Sequence, residues 1–174
     1  MYKKYIFVLI LTLLIASCNK SENPVDNNNP PPTTGGTFTV EIDGGNWTAN
    51  TNAVFASTTT VNNVTSILIT AAQNINTASA DGFGISLTKT NSSGSNLTGQ
   101  YQLGGTVPAT ITFVRTISNT SESFAAISGQ VNITEVSSTH MKGTFNAVLQ
   151  DLTNPANQLT LSNGSFNALI ALDQ

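Results

Sequence analysis

Charge is the scarcest property of this chain. Only 9% of its 174 residues are Asp, Glu, Lys or Arg, where an ordinary domain carries about a quarter. Lysine and arginine together number six, too few for the basic footprint that nucleic acid or anionic lipid requires. A single cysteine, Cys18, excludes an intrachain disulfide and a Cys-based metal site. A single histidine, His140, excludes a multi-histidine zinc site within one chain. Long apolar runs are also missing. The longest, Tyr5 to Ala16, falls short of the roughly twenty residues a spanning helix needs, and Asn19, Lys20 and Glu22 stop its extension. No stretch sustains a helical period between capping residues.

Asn, Thr and Ser stand where charge is absent. The branched Cβ of Thr restricts χ1 and favours extended backbone. Asn and Ser bond to nearby backbone and favour turns. The composition therefore predicts strands and tight turns, with solubility resting on hydroxyl and amide groups.

The N-terminus has the layout of an export signal. Lys3 and Lys4 precede the apolar run, and small residues close it at Ile15-Ala16-Ser17-Cys18. That ending resembles a bacterial lipobox, which implies cleavage before Cys18 and acylation of that residue. Without Lys3 and Lys4, four basic residues remain against nine acidic ones. Residues 1–17 are thus expected to be a signal peptide and 18–36 an acylated cysteine with a disordered tether. The tether holds Asn27-Asn28-Asn29 and Pro30-Pro31-Pro32, with Val25 as its one sizeable apolar residue. It cannot bury enough to fold, and the prolines favour an extended chain.

From residue 37 to 174 the pattern predicts one all-β domain. Phe38, Val40 and Ile42 alternate with Thr39 and Glu41; Asp43-Gly44-Gly45-Asn46 is a turn, and Trp47 opens the next strand. Ala53 to Thr60 and Ser66 to Gln73 flank Asn62-Asn63 as a hairpin. Phe83, Ile85 and Leu87 alternate, as do Ile111 and Phe113, and Asn91-Ser92-Ser93-Gly94 is a turn. Tyr101 and Leu103 form a short strand. Gln130 to Val136, Lys142 to Gln150 and Gln158 to Ala171 are three strands or broken strand pairs. Two pieces nearly repeat, Gly143-Thr144-Phe145-Asn146-Ala147-Val148 and Gly164-Ser165-Phe166-Asn167-Ala168-Leu169, with Gly99-Gln100-Tyr101 a weaker echo. Similar environments within one meander explain this without duplication. About ten short strands at turn spacing predict an antiparallel β-sandwich or β-barrel, and the pattern leaves both open.

The lipobox and tether, the opening Phe38-Thr39-Val40-Glu41-Ile42-Asp43-Gly44-Gly45-Asn46-Trp47-Thr48-Ala49, and the closing Gly143-Thr144-Phe145 and Asn163-Gly164-Ser165-Phe166 together resemble small lipoproteins of Bacteroidetes-type bacteria. The resemblance implies the all-β fold and an outer-membrane location, on either its periplasmic or its external face. It transfers no catalytic residue, because that group has no known activity.

Chemistry is sparse. His140 follows Ser137-Ser138-Thr139 in a hairpin turn, where solvation accounts for it better than general-base duty. Glu41 and Asp43 share a strand face by spacing, but Asp43 starts a turn and caps backbone amides there. Asp43 to Asn46 and Asp151 to Asn157 are weak calcium candidates that suit ordinary turns. Trp47 and Tyr101 are the two aromatic candidates for ligand contact; Trp47 follows a turn and alternates with Ala49, which favours a core role, while Tyr101 suits either because its hydroxyl wants a wet end. No cofactor motif or catalytic constellation is present. The leading expectation is a non-enzymatic binding or interaction module, held to the membrane through lipid on Cys18 and meeting glycans or envelope proteins. The alternatives are a barrel-type carrier of a small apolar ligand and, third, a glycan hydrolase.

Overall fold

The computed structural model describes residues 35–75, 77–90, 96–106, 108–117 and 120–170. The signal, Cys18, the tether up to residue 34 and the 91–94 turn lie outside the described residues; Gly35 and Gly36, expected to end the tether, instead pack closely against Thr51 and Val54, with Gly36 buried. Ten strands follow: β1 (Thr37–Ile42), β2 (Gly45–Thr48), β3 (Val54–Val61), β4 (Val64–Gln73), β5 (Asp81–Thr90), β6 (Gly99–Gln102), β7 (Ala109–Ile117), β8 (Thr120–Val136), β9 (His140–Asp151) and β10 (Gln158–Ile170). One 3-10 turn, Thr51–Ala53, leads into β3.

Local chemistry sets the first hairpins. Asp43 and Gly44 take φ of 49° and 82°, joining β1 to β2 through a two-residue turn. Asn62 and Asn63, at 51° and 64°, do the same for β3 and β4. Paired positive φ angles match the right-handed twist of the flanking strands, and Asn and Asp tolerate them better than other residues with a side chain.

The pairing closes on itself. β3, β4, β5, β7, β8, β9 and β10 pair in that order, and β10 returns to β3. All neighbours are antiparallel except the closing pair, where Leu169 and Ile170 meet Phe55 and Ala56 in parallel. β8 and β10 each serve two neighbours along one edge. Residues 120–125 of β8 pair with β7, and residues 130–133 pair with β6. β10 pairs with β1 between Leu161 and Asn167 before it reaches β3. Register shifts accompany these changes, between Ala126 and Ser128 and between Leu161 and Gly164, since an extra residue bends a strand and lets it change partner. The all-β expectation holds, and the barrel-like closure is carried by the ring. β8 starts at Thr120, ten residues before the alternation becomes visible in the sequence.

Side chains fill the ring. Phe38, Phe83, Phe113, Phe124, Phe145 and Phe166 are buried with Trp47, among Ile and Leu from every ring strand except β3, which contributes Val54 and Ala56. Phe83 stacks on Phe113 at 4.4 Å and on Phe38 at 5.3 Å, while Trp47 meets Phe83 edge-on at 4.8 Å. Each such pair adds roughly 0.5–1.5 kcal/mol beyond its burial.

The near-repeat has a structural meaning. β9 and β10 lie side by side with Gly143 opposite Phe166 and Gly164 opposite Phe145. Each glycine receives the other strand's ring, so a Cβ at either position would collide with it. The two motifs are reciprocal partners across one strand pair.

Candidate functional site

On β6, β8, β9, β10, β1 and β2 the buried inward side chains are apolar apart from Asp151 at the end of β9, and the alternate positions point outward. Register aligns those outward residues into ranks. One rank runs Gln100, Asn132, Thr144, Ser165, Thr39, Thr48 across all six strands. The next runs Gln102, Gln130, Asn146, then the β10 bulge at Ser162-Asn163, then Glu41 and Asn46. Together they make a face of amides and hydroxyls with one carboxylate.

Asn163 is central. It sits in the bulge at φ 52°, a conformation Asn accepts more readily than most residues. Its Nδ2 donates to Glu41 Oε2 at 2.9 Å, and Ser162 Oγ donates to the same oxygen at 3.2 Å. Thr39 and Ser165 share a hydroxyl bond of 3.0 Å. Asn132, Thr144 and Asn146 make no side-chain hydrogen bond among the described residues. They line a shallow depression of about 380 Å³ with Gln130, Phe145, Asn163, Gly164 and Ser165. A second depression of about 310 Å³ is lined by Thr39, Glu41, Asn46, Thr48 and Asn163, with Val40 and Trp47 at its floor. The two meet at Asn163.

Glu41 apart, charge lies off these ranks. Lys142, one position beyond Thr144 on the same side of β9, is held by Glu135 at 2.9 Å. Arg115 pairs with Glu122 at 2.7 Å on β7 and β8 and lies 5.5 Å from the Phe124 ring. Lys89 donates to the Thr98 carbonyl.

Of the two aromatic candidates, Trp47 borders the second depression from beneath and Tyr101 lines neither. Trp47 is 5% exposed and packs edge-on against Phe38, Phe83 and Phe113. Its strand position points inward, and the ring presents no open face for stacking. Tyr101 is 7% exposed, and its hydroxyl donates to the Leu97 carbonyl at 2.6 Å. Burial pushes its phenol above the ordinary value of 10.0. Neither ring offers the wet surface a stacking platform needs; both bury their apolar area in the core instead.

The turn carboxylates are occupied by backbone. Asp43 Oδ1 accepts from the Thr160 amide at 2.8 Å, so its cap reaches β10 rather than its own turn. Asp151 is buried, and its oxygens accept from the amides of Thr153 and Asn154, the Thr153 hydroxyl and Asn157 Nδ2. The Thr153 amide and hydroxyl are the main cause of its low pKa of about 2. No cluster of three or more metal-ligating side chains occurs among the described residues. His140 opens β9, with Nδ1 sharing a hydrogen bond of 2.7 Å with Thr139 Oγ1. The Ser137 hydroxyl beside it accepts from the His140 amide at 2.9 Å and donates to the His140 carbonyl.

The ranked face is what sequence reasoning missed. Its signal was present in the Thr and Asn at alternate strand positions, but nothing local told which strands lie side by side. Compared with protein-family models, curated proteins and solved structures, the chain matches none.

Proposed function

We propose that this chain is a lipid-anchored, non-enzymatic binding module of the cell envelope, and that the ranked polar face is its binding surface. The observation that carries this is the array of carboxamides and hydroxyls aligned across six strands and gathered at two depressions, with Asn132, Thr144 and Asn146 unpartnered among the described residues. A carrier would need an enclosed apolar cavity of about 300 Å³ or more; the ring is packed with aromatic and aliphatic side chains, and both depressions lie outside it. A hydrolase would need two carboxylates facing one cleft, and Glu41 is the one carboxylate lining either depression.

The lipobox resemblance at Cys18 supports the anchor, and the family resemblance supports the outer membrane. Two or more acyl chains hold a protein stably on a bilayer, each contributing roughly 0.8 kcal/mol per buried CH₂. Membrane fractionation with radiolabelled palmitate tests this. The wild-type chain is expected to sediment with outer membrane and carry label, and Cys18→Ala to do neither. A Cys18→Ala chain that stays membrane-bound would overturn the anchor. Protease treatment of intact cells then assigns the face: loss of the domain places it outside, and protection places it in the periplasm.

A further inference from the structure

We infer that the ligand of this face is a neutral glycan laid across the strands, with Asn146 and Asn163 at the centre of the contact. This rests on the binding-module proposal above and names the ligand class. Three observations carry it.

The first is the chemistry of the ranks. A carboxamide offers one acceptor and two donors, and a Thr or Ser hydroxyl offers both functions. Sugar hydroxyls also donate and accept, so a dense array of such groups complements them without charge. Asn132, Thr144 and Asn146 have their side-chain capacity unspent, and all three line the larger depression.

The second is what the ranks omit. They hold no Lys or Arg, and the neighbouring Lys142 is already paired with Glu135, so a sulfate, phosphate or uronate would find no free counter-charge. Glu41 would repel it, and its own charge is already met by Ser162 and Asn163. A protein partner is disfavoured on different grounds. Protein interfaces bury about 800 Å² on each side around a largely apolar centre. The exposed large apolar residues, Phe55, Val61, Val64, Ile75, Ile117, Ile127 and Leu152, all lie off the ranks.

The third is geometry. The depressions share Asn163 and follow one another across β8, β9, β10, β1 and β2. Strands lie about 4.8 Å apart, so this path is about 19 Å long. That interval is comparable to one sugar ring, so a polysaccharide running across the sheet meets a new strand's side chain at each ring.

Affinity electrophoresis of the full chain, kept in a polyoxyethylene detergent, tests the inference. The gels contain β-glucan, mannan, xylan or galactan, with alginate as the charged comparison. At least one neutral polysaccharide is expected to retard the wild type, equally at low and high salt, and alginate is not. The double variant Thr144→Val/Asn146→Ala removes two exposed hydrogen-bonding side chains and is expected to weaken retardation about tenfold. Ser86→Ala, exposed on β5 away from the face, is expected to change nothing. Asn132→Ala is a second, independent probe of the same depression. The inference is overturned if no neutral polysaccharide retards the chain, if alginate does so equally, or if both face variants retain full retardation.

A second arm separates this failure from failure of the binding module. Photoreactive benzoylphenylalanine replaces Thr144 in the living host. Adducts that periodate degrades support the glycan. A protease-sensitive adduct with no retardation overturns the glycan and leaves the face as a binding surface. No adduct and no retardation overturn both.

Discussion

Gly164→Ala is the most demanding test of how β9 and β10 are joined. The new Cβ would lie 2.6 Å from Cδ2 and Cε2 of Phe145 and 2.7 Å from its Cζ, whereas carbon atoms prefer about 3.5–4.0 Å. The ring has little freedom to move away. It is buried, with Phe38 at 5.1 Å and Phe166 at 6.5 Å. Forcing an extra carbon into such a core costs about 1–3 kcal/mol. Alanine recovers about 0.5–1 kcal/mol by restricting the unfolded chain. The net expectation is a loss of about 1 kcal/mol, within a range of roughly 0–2.5 kcal/mol. Gly143→Ala should lose more. Its Cβ would meet the Phe166 ring and also the Asn132 carbonyl oxygen at 2.5 Å, and a backbone atom held in the β8 ladder cannot rotate aside.

Gly82→Ala is the control. Its Cβ would find the Ala71 oxygen at 3.5 Å, an ordinary contact, so that variant should be neutral or slightly stabilised. Urea unfolding followed by the fluorescence of the single tryptophan measures all three. The midpoint should fall for Gly164→Ala and further for Gly143→Ala, with the slope unchanged. Adding Phe145→Leu to Gly164→Ala should recover about 1 kcal/mol relative to additivity, because the colliding ring is gone. Equal stability of Gly164→Ala and Gly82→Ala, or a milder effect at Gly143, would refute the reciprocal glycine–ring packing.

Three further outcomes are expected. Asp151 titrates at about 2 when folded, against 3.8 unperturbed, so its stabilising effect is complete above about pH 4 and disappears as pH falls towards 2; thermal melts from pH 6 to 2 should show this slope in wild type and its absence in Asp151→Asn. Tyr101→Phe strands the Leu97 carbonyl and should cost about 1–2 kcal/mol. The raised Tyr101 phenol adds stability that is intact below pH 10.0 and declines above it, so alkaline melts of wild type and Tyr101→Phe should converge. Trp47, enclosed by phenylalanine rings, should emit at short wavelength and resist iodide quenching; a saturating polysaccharide should leave both unchanged, and a shift would return the ring to the binding surface.

Much of the fold was legible where local chemistry decides it. Phe38 and Val40 alternate with polar residues because one side of β1 is buried, and Asp43-Gly44 and Asn62-Asn63 adopt the positive φ angles their residue types tolerate. The first part of β8 was not legible. Ser121 to Ser128 carries small and polar residues with little alternation; β7 and β9 hold it extended from either side. Nor could the closing contact between Leu169 and Phe55 be read, since only two residue pairs make it, far apart in sequence. The Gly-X-Phe repeat was visible as a pattern, yet its reciprocity exists only once β9 and β10 are paired. Trp47 read as core because it follows a turn and alternates with Ala49, and it is buried; Tyr101 could not be assigned by type, because an aromatic ring with a polar atom suits both a core and a wet site.

The scarcity of charge and the form of the proposed site follow from one another. A hydrogen bond that replaces water gains only about 0.5–1.5 kcal/mol, so a polar face binds usefully only if its groups are held in place before the ligand arrives. Lysine and arginine would lose the freedom of long, flexible side chains on contact. Most rank residues are Thr, Ser or Asn, which are short, and the strand ladders fix their positions on the face; Gln100, Gln102 and Gln130 at one end are the flexible exceptions. Behind them, Phe145 and Phe166 lock β9 to β10, and the bulge at Asn163 is set by its neighbours on both edges. The aromatic core and the ring closure thus do for this face what charge does elsewhere: they supply preorganisation in place of long-range attraction. Without electrostatic steering, association should be slow and insensitive to salt, and a tether that keeps the domain near its ligand would matter more than the strength of any single contact.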